Sequence, residues 1–236
     1  VGITLDGEIR RGDHAQCASY DYLGSRRDGA FAERVWVPAW NLFRVPDHVE
    51  LLHAALTEPC AVARHAALRA EVAPGASAAV FGGGPIGNMA AQWLRLGGAA
   101  PVFVVDVDPS KLELARSMGF APVDGRAGDP VERLRELAGG QGPDVTLEAV
   151  GLPLTFRQAL AAARHGGQAV LMGNIRGTLA LEEREVSSLL RRELTIRGTW
   201  NSRVAPAGAN DWTETLARLG RGLDAAPLVS HVAPLA

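Results

Sequence analysis

The chain has 236 residues, enough for one large or two modest domains, and its 47% hydrophobic content can form a packed core. A formal charge of −2 argues against a strongly basic surface, so we expect neither nucleic acid nor membrane among its partners. No apolar run reaches the ~20 residues of a transmembrane helix, and two cysteines do not make a disulfide framework, which favours a cytoplasmic location.

The first part of the chain, residues 1–46, is rich in Gly, Asp and Arg and contains two strand-like pieces, "FAERVWVP" and "NLFRVP". Pro38 and Pro46 end those pieces, which is typical of an irregular β domain. The segment 56–75 predicts a helix that begins near Glu58 and Pro59 and links this region to the next one.

From Ser77 onward, short apolar runs alternate with segments of helical periodicity. We predict strands at 77–81, 102–106, 144–151, 168–173 and 194–200, and helices at 88–96, 109–119, 128–140, 154–167, 184–193 and 210–222. In the third of these helices, Asp129 suits the N-cap and Pro130 the first helical position. These strands and their helical crossovers come close to the six-stranded count of a doubly wound parallel sheet, and they predict an α/β fold of that kind.

Three glycines, Gly82, Gly84 and Gly87, follow the first strand of this alternation with the spacing G-x-G-x-x-G. In a dinucleotide site the first allows a tight turn, the second lets the backbone approach the pyrophosphate, and the third lets the helix pack close to the sheet. The helix N-terminus then offers free N–H groups and a partial positive charge to the phosphates. The order of strand, glycines and helix predicts a dinucleotide site; the alternative is an α/β turn that binds no nucleotide.

Asp106 ends the next predicted strand at the position where a dinucleotide fold places its acidic residue, about 20 residues past the glycines. Its carboxylate can accept hydrogen bonds from both ribose hydroxyls and would repel a 2′-phosphate, which favours NAD over NADP. The alternative is a solvated acid at a strand end. Lys111 either flanks the adenosine ribose or is solvated at the start of its helix.

Four separated motifs then resemble one family in the right order: "YLGSRRDGAFAERVWVPAWNLFRVPD", "LTEPCAVARHAAL", "VFGGGPIG" and "ELTIRGTWNSRVAPAG". They are similar to the medium-chain zinc-type alcohol and polyol dehydrogenases, in particular to the sorbitol and galactitol-1-phosphate branch. The resemblance implies an irregular GroES-like β domain plus a six-stranded Rossmann domain. It also implies reversible NAD-linked oxidation of a secondary alcohol at a zinc ion.

The resemblance implies three parts in this chain: a partial catalytic β domain with the start of a linker helix at 1–60, an NAD-binding domain at 61–200, and a return segment at 201–236. The family's zinc-binding Cys and its His-Glu pair would precede Val1, and its closing strands would follow Ala236. We therefore expect a fragment or a natural short form that binds a catalytic zinc only when complete.

Glu58 matches the glutamate at the zinc site of the polyol branch, so the resemblance implies a catalytic and metal-binding role. Zinc is a Lewis acid there and lowers the pKa of the alcohol, and a carboxylate can ligate the metal or hold its water. The alternative is a helix-start acid stabilised by the helix dipole, which needs no metal.

The family often carries a structural zinc in a loop of four cysteines, and "ITLDGEIRRGDHAQC" keeps only the last of them. The matching positions are Ile3, Asp6, Ile9 and Cys17. Isoleucine cannot bind zinc, and one thiolate with one carboxylate cannot close a tetrahedral site. We expect the loop to hold no metal.

The resemblance also assigns further residues to the cofactor or substrate: Pro85, Ile86, Val150, Asn174, Trp200 and Asn201. Trp200 and Asn201 lie at the end of the last predicted strand, where a nicotinamide would lie, although Trp200 equally suits a packing role at a domain boundary. Arg26 and Arg27 could meet a phosphorylated substrate through their guanidinium groups, or they form an ordinary solvated turn.

The leading interpretation is an NAD-dependent polyol or sugar-alcohol dehydrogenase that forms a homo-oligomer, either a dimer or a tetramer. A zinc-free quinone reductase of the same superfamily is one alternative, against which Asp106 and Glu58 argue. A nucleotide-binding remnant without catalysis is the other. The sequence does not identify the alcohol.

Overall fold

A computed structural model of the protein describes residues 14–17, 20–204 and 210–234. The chain forms two compact units. One comprises Val62–Trp200, and the other combines Val1–Ala61 with Asn201–Ala236.

The unit at Val62–Trp200 contains one parallel sheet of six strands. These are β1 Ala78–Phe81, β2 Val102–Asp106, β3 Ala121–Asp124, β4 Val145–Glu148, β5 Gln168–Leu171 and β6 Thr195–Gly198. Their order is β3-β2-β1-β4-β5-β6, and every neighbouring pair is parallel. The order reverses between β1 and β4, and such a switch point is where dinucleotides bind in doubly wound sheets.

Helices follow most of the strands and cover the sheet. They are α3 Pro85–Leu96, α4 Pro109–Ser117, α5 Pro130–Leu137, α6 Pro153–Ala162 and α7 Glu183–Arg191. Phe81, Phe103 and Val105 of the sheet form a buried cluster with Leu134 of α5 and Ala159 of α6. Strands β1 and β4 are buried at all four positions, and β1 is accordingly a continuous apolar run, whereas β4 buries Thr146 and Glu148 among its apolar residues.

The predicted α/β class and doubly wound sheet are confirmed, and so is the start of α5. Asp129 is its N-cap, accepting a hydrogen bond from the Val131 N–H, and Pro130 is its first residue. The prediction from sequence placed no strand at β3, because "APVD" is short and contains proline. The structure places β3 at the sheet edge, where a residue without an N–H is tolerated.

The second unit contains α1 Leu51–Ala54, the start of α2 (Thr57–Arg69) and α8 Asp211–Arg218, together with short 3₁₀ turns. The predicted strand-like pieces at 31–38 and 41–46 are wrong. Within the described residues of this unit only isolated bridges occur, Leu23 with Arg27 and Leu219 with Leu223. A strand requires a hydrogen-bonded partner, and exposed side chains such as Phe31 and Trp36 show that neither face of the first piece is packed.

No helix in the described part of the chain combines the length and the apolar character needed to cross a membrane. Cys17 and Cys60 are both buried, and neither forms a disulfide.

Candidate functional site

The glycine turn after β1 has the geometry that two of its glycines make possible. Gly82 has a φ of +105°, in the region that favours glycine, and its N–H donates to the carbonyl of Val105 at 2.7 Å. A Cβ on Gly87 would lie 1.9 Å from the carbonyl oxygen of Gly82. Only glycine at position 87 therefore lets α3 pack this close to the turn that leaves β1.

The N-terminus of α3 is open on the side that a phosphate would approach. Gly84 is the N-cap, no side chain caps the helix, and the first turn carries no acidic residue. A Cβ on Gly84 would meet no atom within 4 Å. Pro85 begins the helix and Ile86 is exposed beside it. The first N–H groups of a helix lack intrahelical partners, so this end can bind an anion.

Asp106 lies at the carboxyl end of β2 with only 8% of its side chain exposed. Oδ1 accepts hydrogen bonds from the N–H groups of Val107 and Asp108, and Oδ2 accepts one from Gly83 at 2.7 Å. Lys111 Nζ is 3.7 Å from Oδ2. Because a carboxylate oxygen has two lone pairs, Oδ2 keeps capacity for a further donor. The glycine turn and the acidic strand end thus form one connected element.

A buried acid, Glu148, ends β4 and holds the segment that follows this strand. Its Oε1 accepts hydrogen bonds from the N–H groups of Val150 and Gly151 and from the hydroxyl of Thr155, all at 2.9 Å or less. Val150 is 41% exposed, and Asn174 after β5 is exposed too. A Cβ on Gly151 would lie 2.4 Å from the carbonyl oxygen of Asn174. These two loops therefore cross in close contact.

These observations in the sheet unit fit a dinucleotide. Three features lie at the carboxyl ends of the strands, near the switch point of the sheet. They are an uncapped helix N-terminus, an open space at Gly84 and a fixed carboxylate with a spare lone pair. Trp200, at the end of this unit, is 54% exposed.

The other unit encloses a cavity of about 470 Å³ that Glu58 lines, together with Tyr20, Phe43, Asn201 and Trp212. The carboxylate of Glu58 has no hydrogen bond or ion pair with any described residue. Although it is accessible to solvent from the cavity, desolvation by the surrounding protein raises the pKa of its carboxyl group. Asn201 has a φ of +55°, and its amide donates to the hydroxyl of Tyr20.

Arg26 and Arg27 lie in an exposed turn, and their guanidinium groups have local partners. Arg26 donates to the carbonyl oxygen of Tyr20, and Arg27 pairs with Asp21. A phosphate at this turn would have to compete with those contacts.

A sequence profile of the zinc-binding dehydrogenases matches residues 85–221, from the start of α3 to just beyond α8. The chain belongs to this family.

Several relatives of this chain are named for an activity. Galactitol 1-phosphate 5-dehydrogenase of Escherichia coli (strain K12) is 35% identical over 230 residues, covering 95% of this chain and 65% of the relative. L-threonine 3-dehydrogenase of Shewanella woodyi (strain ATCC 51908 / MS32) is 33% identical over 223 residues, covering 94% of this chain and 63% of the relative. The chain thus spans less than two thirds of the length of these relatives.

Solved structures of the family show the same fold. Galactitol-1-phosphate dehydrogenase from Escherichia coli superposes with a TM-score of 0.86 at 30% identity, over 95% of this chain and 65% of that one. A zinc-binding dehydrogenase from Sinorhizobium meliloti 1021, bound to NADP, superposes with a TM-score of 0.81 at 29% identity, over 92% of this chain and 63% of that one.

The residues described here do not fit a catalytic zinc centre, although the family name implies the metal. Within 14–17, 20–204 and 210–234, no group of three or more His, Cys, Asp or Glu side chains could hold a metal ion. A catalytic zinc has three protein ligands, and Glu58 would be one. Of the four positions compared with the structural zinc loop, Ile3, Asp6 and Ile9 lie outside the described residues, and Cys17 is buried.

Three residues that the sequence did not single out contribute to these sites. Glu148 could have been noticed, because a charged residue in an otherwise apolar strand usually has a defined set of partners. Tyr20 and Ser202, which both line the Glu58 cavity, gave no such signal, since their roles depend on contacts between distant parts of the chain.

Proposed function

We propose that this chain binds NAD and belongs to an enzyme that interconverts a secondary alcohol and its ketone, with a polyol or sugar alcohol, free or phosphorylated, as the substrate. The observation that carries the proposal is the connected element of Gly82, Gly84, Gly87 and Asp106 at the switch point of the sheet. Family membership supports the reaction class.

In this proposal each candidate residue of the sheet unit contacts a particular part of the nucleotide. The N–H groups at the start of α3 bind the pyrophosphate, and the open space at Gly84 lets it approach the backbone. Asp106 accepts a hydrogen bond from a ribose hydroxyl. Val150 and Asn174 lie on the joined loops after β4 and β5 and position the nicotinamide end, together with Trp200. The bound nicotinamide supplies the hydride acceptor.

The preference for NAD over NADP depends on the balance between two opposite charges. The Asp106 carboxylate repels a 2′-phosphate, while Lys111, at 3.7 Å, offsets part of that repulsion. We give the carboxylate the larger effect because it is almost fully buried and has a fixed orientation, whereas 43% of the lysine side chain is exposed to solvent. Because the structure of the Sinorhizobium meliloti relative contains NADP, the preference of this chain has to be measured with both nucleotides.

The polyol as substrate is supported by the relative named galactitol 1-phosphate 5-dehydrogenase, and L-threonine is the competing substrate, since further relatives are named for it. Within the Glu58 cavity, the carboxylate and the hydroxyl of Tyr20 offer polar contacts, while Phe43 and Trp212 offer apolar ones. Such a mixture suits a chain of hydroxylated carbons.

A metal ion enters the proposal only through Glu58, as one carboxylate ligand. The other ligands would come from the part of the relatives' length that this chain does not cover. A homo-oligomer is supported by apolar side chains exposed on α7 and β6, among them Leu190 and Ile196. Sedimentation analysis tests the assembly, and cell fractionation tests the expected cytoplasmic location.

The function is tested in two steps. Calorimetric titration of the 236-residue chain with NAD and NADP should give measurable binding for NAD and weaker binding for NADP. The full product of the encoding gene is then assayed for NADH formation on galactitol, galactitol 1-phosphate, sorbitol and L-threonine. Absence of nucleotide binding would refute the cofactor assignment, and oxidation of L-threonine alone would refute the polyol assignment.

A further inference from the structure

The Glu58 cavity contains a chain of hydrogen bonds whose direction can be worked out from its first member. The indole Nε1 of Trp212 can only donate, and it lies 3.1 Å from the hydroxyl oxygen of Ser202. Ser202 Oγ therefore accepts there, and its own hydrogen is available to Asn201 Oδ1 at 3.3 Å.

The orientation of the Asn201 amide is fixed independently. The backbone N–H of Ser202 donates to Oδ1 at 2.7 Å, so the atom at that position must be the oxygen. The other end of the amide, Nδ2, consequently faces Tyr20 and donates to the phenol oxygen at 2.5 Å. Every bond from Trp212 to Tyr20 thus runs in the same direction.

Tyr20 is the last member, and its hydroxyl hydrogen has no acceptor among the described residues. The phenol oxygen already accepts from Asn201, which leaves the O–H group to donate. Burial, together with the nearby Tyr22 and the charge of Glu58, raises the pKa of Tyr20 to about 12, so the group keeps its proton at physiological pH. A half-buried donor with a fixed partner on its oxygen lines a cavity large enough for a small ligand.

We propose that Tyr20 donates a hydrogen bond to a hydroxyl oxygen of the bound polyol, and that the Trp212–Ser202–Asn201 chain holds it in the donating state. This deepens the function proposed above and rests on it for the substrate class. Tyr20 is a substrate-positioning group, while Asn201 acts through Tyr20.

The test uses the 236-residue chain without nucleotide or metal and galactitol as the probe. Proton–nitrogen NMR follows the indole N–H signal of Trp212, assigned with Trp212→Phe, because this group begins the chain of hydrogen bonds. Galactitol should shift that signal in a saturable way. Tyr20→Phe should weaken the fitted affinity about five- to tenfold, the effect expected from the loss of one neutral hydrogen bond.

A second variant keeps the phenol and reverses its hydrogen bond. In Asn201→Asp at pH 8, one carboxylate oxygen accepts from the Ser202 N–H and the other faces Tyr20. The Tyr20 hydroxyl then donates its hydrogen bond to this carboxylate and no longer to a ligand. Its galactitol affinity should fall as in Tyr20→Phe, although Tyr20 is present. Tyr22→Phe is the matched control, since the ring centroids of Tyr22 and Tyr20 are 5.0 Å apart and Tyr22 has no place in the chain of hydrogen bonds. Its affinity should stay within twofold of the parent.

The outcomes separate this inference from the proposed function. No galactitol-dependent shift of the Trp212 signal, or an unchanged affinity in both Tyr20→Phe and Asn201→Asp, overturns the role of Tyr20 even if NAD binds. A loss confined to these two variants supports it even if NAD does not bind, and in that case the cofactor assignment alone is refuted. An equal loss in Tyr22→Phe would show a general packing effect and overturn the inference.

Discussion

Asp106 is held by three backbone N–H groups, which is more support than an exposed strand-end acid would receive. This support fixes the direction of the carboxylate before any nucleotide arrives, so little ordering remains to be done on binding. The lysine beside it is the only one in the sequence. The proposed preference for NAD over NADP can therefore be tested at each of these two residues separately.

The first prediction concerns this pair. Asp106→Ser should lower NAD affinity about tenfold and bring NADP to equal or better affinity, because the repulsion of a 2′-phosphate is removed. Lys111→Met should weaken NADP binding and leave NAD within about twofold, since an exposed charge contributes little to a neutral ribose. Calorimetry with both nucleotides measures each effect. A Lys111→Met variant that loses NAD and NADP equally would place Lys111 on a part common to both.

The glycines provide a second prediction, in which two neighbouring substitutions have opposite consequences. Gly84→Ala should leave the free energy of unfolding nearly unchanged, because its Cβ meets no atom within 4 Å, but it should weaken NAD binding by filling the space beside the helix N-terminus. Gly87→Ala should destabilise the protein by more than about 3 kcal/mol, since its Cβ would lie 1.9 Å from a carbonyl oxygen. Urea unfolding and NAD titration of both variants check this. Normal NAD binding by Gly84→Ala would show that the pyrophosphate does not bind at this turn.

At the scale of the elements, the C-terminal end of α6 is capped by a buried arginine from a later part of the chain rather than by a glycine. The guanidinium of Arg192, which follows α7, donates to the carbonyl oxygens of Leu160, Ala161 and Ala163 at 2.7–3.2 Å. The last carbonyls of a helix have no partners within it, so this cation satisfies the end of α6. Burial lowers the pKa of Arg192, because it removes the charged guanidinium from water, and the hydrogen bonds to the three carbonyl oxygens offset that cost.

We therefore predict that Arg192→Met lowers the free energy of unfolding by about 3 kcal/mol, the range for hydrogen bonds that involve a charge. Arg191→Met is the matched control, because the adjacent Arg191 is exposed, and it should change stability by less than about 0.5 kcal/mol. Equilibrium urea unfolding measures both. Equal effects of the two substitutions would mean that the cap contributes nothing.

A second link between elements gives the stability a defined pH dependence. Asp144, just before β4, accepts from the N–H and hydroxyl of Ser77 and from Arg164. Burial of Asp144 opposes its ionisation, but these hydrogen bonds outweigh it and lower the pKa below the usual 3.8. A group whose pKa is lower in the folded state stabilises the fold above its unfolded pKa, and that stabilisation is lost as the pH falls through the folded pKa.

Asp144→Asn should accordingly destabilise the protein at pH 7 and pH 5, with a difference that shrinks below pH 3.8 as the parent carboxyl becomes protonated. Unfolding curves at pH 7, 5 and 3 test this. A difference from the parent that is constant across the three values would show that the charge of Asp144 has no part in it.

How much the sequence predicts depends on how local each feature is. The glycine spacing, the acid at the end of β2 and the cap of α5 lie within short segments, and they could be predicted. Strand β3 was missed because Pro122 is unfavourable for a strand in general and acceptable only at an edge, which is a property of the whole sheet. Tyr20 and Asn201 are 181 positions apart, so their contact could not be predicted from either segment.

At the scale of the whole molecule, the two units carry different parts of the proposed function. The sheet unit carries the groups proposed for the nucleotide, and the other unit carries the Glu58 cavity. Oxidation of an alcohol by hydride transfer needs a bound nicotinamide and, in zinc enzymes, a Lewis acid on the alcohol oxygen. The group of residues proposed for the nucleotide is more complete than the single carboxylate proposed for the metal.

The last prediction follows from this difference. The purified 236-residue chain should bind NAD but retain no stoichiometric zinc after dialysis, because a single carboxylate cannot replace three protein ligands. It should form no NADH with galactitol, galactitol 1-phosphate or sorbitol, with or without added zinc. Elemental analysis and absorbance of NADH measure the two results. The raised pKa of Glu58 adds a control: any zinc that the chain does hold through this carboxylate should be lost as acidification protonates it, and Glu58→Gln should abolish that binding at every pH. Clear turnover by the chain alone would show that other residues complete a metal site. Zinc retained by Glu58→Gln would show in addition that Glu58 is only an acid at the start of α2.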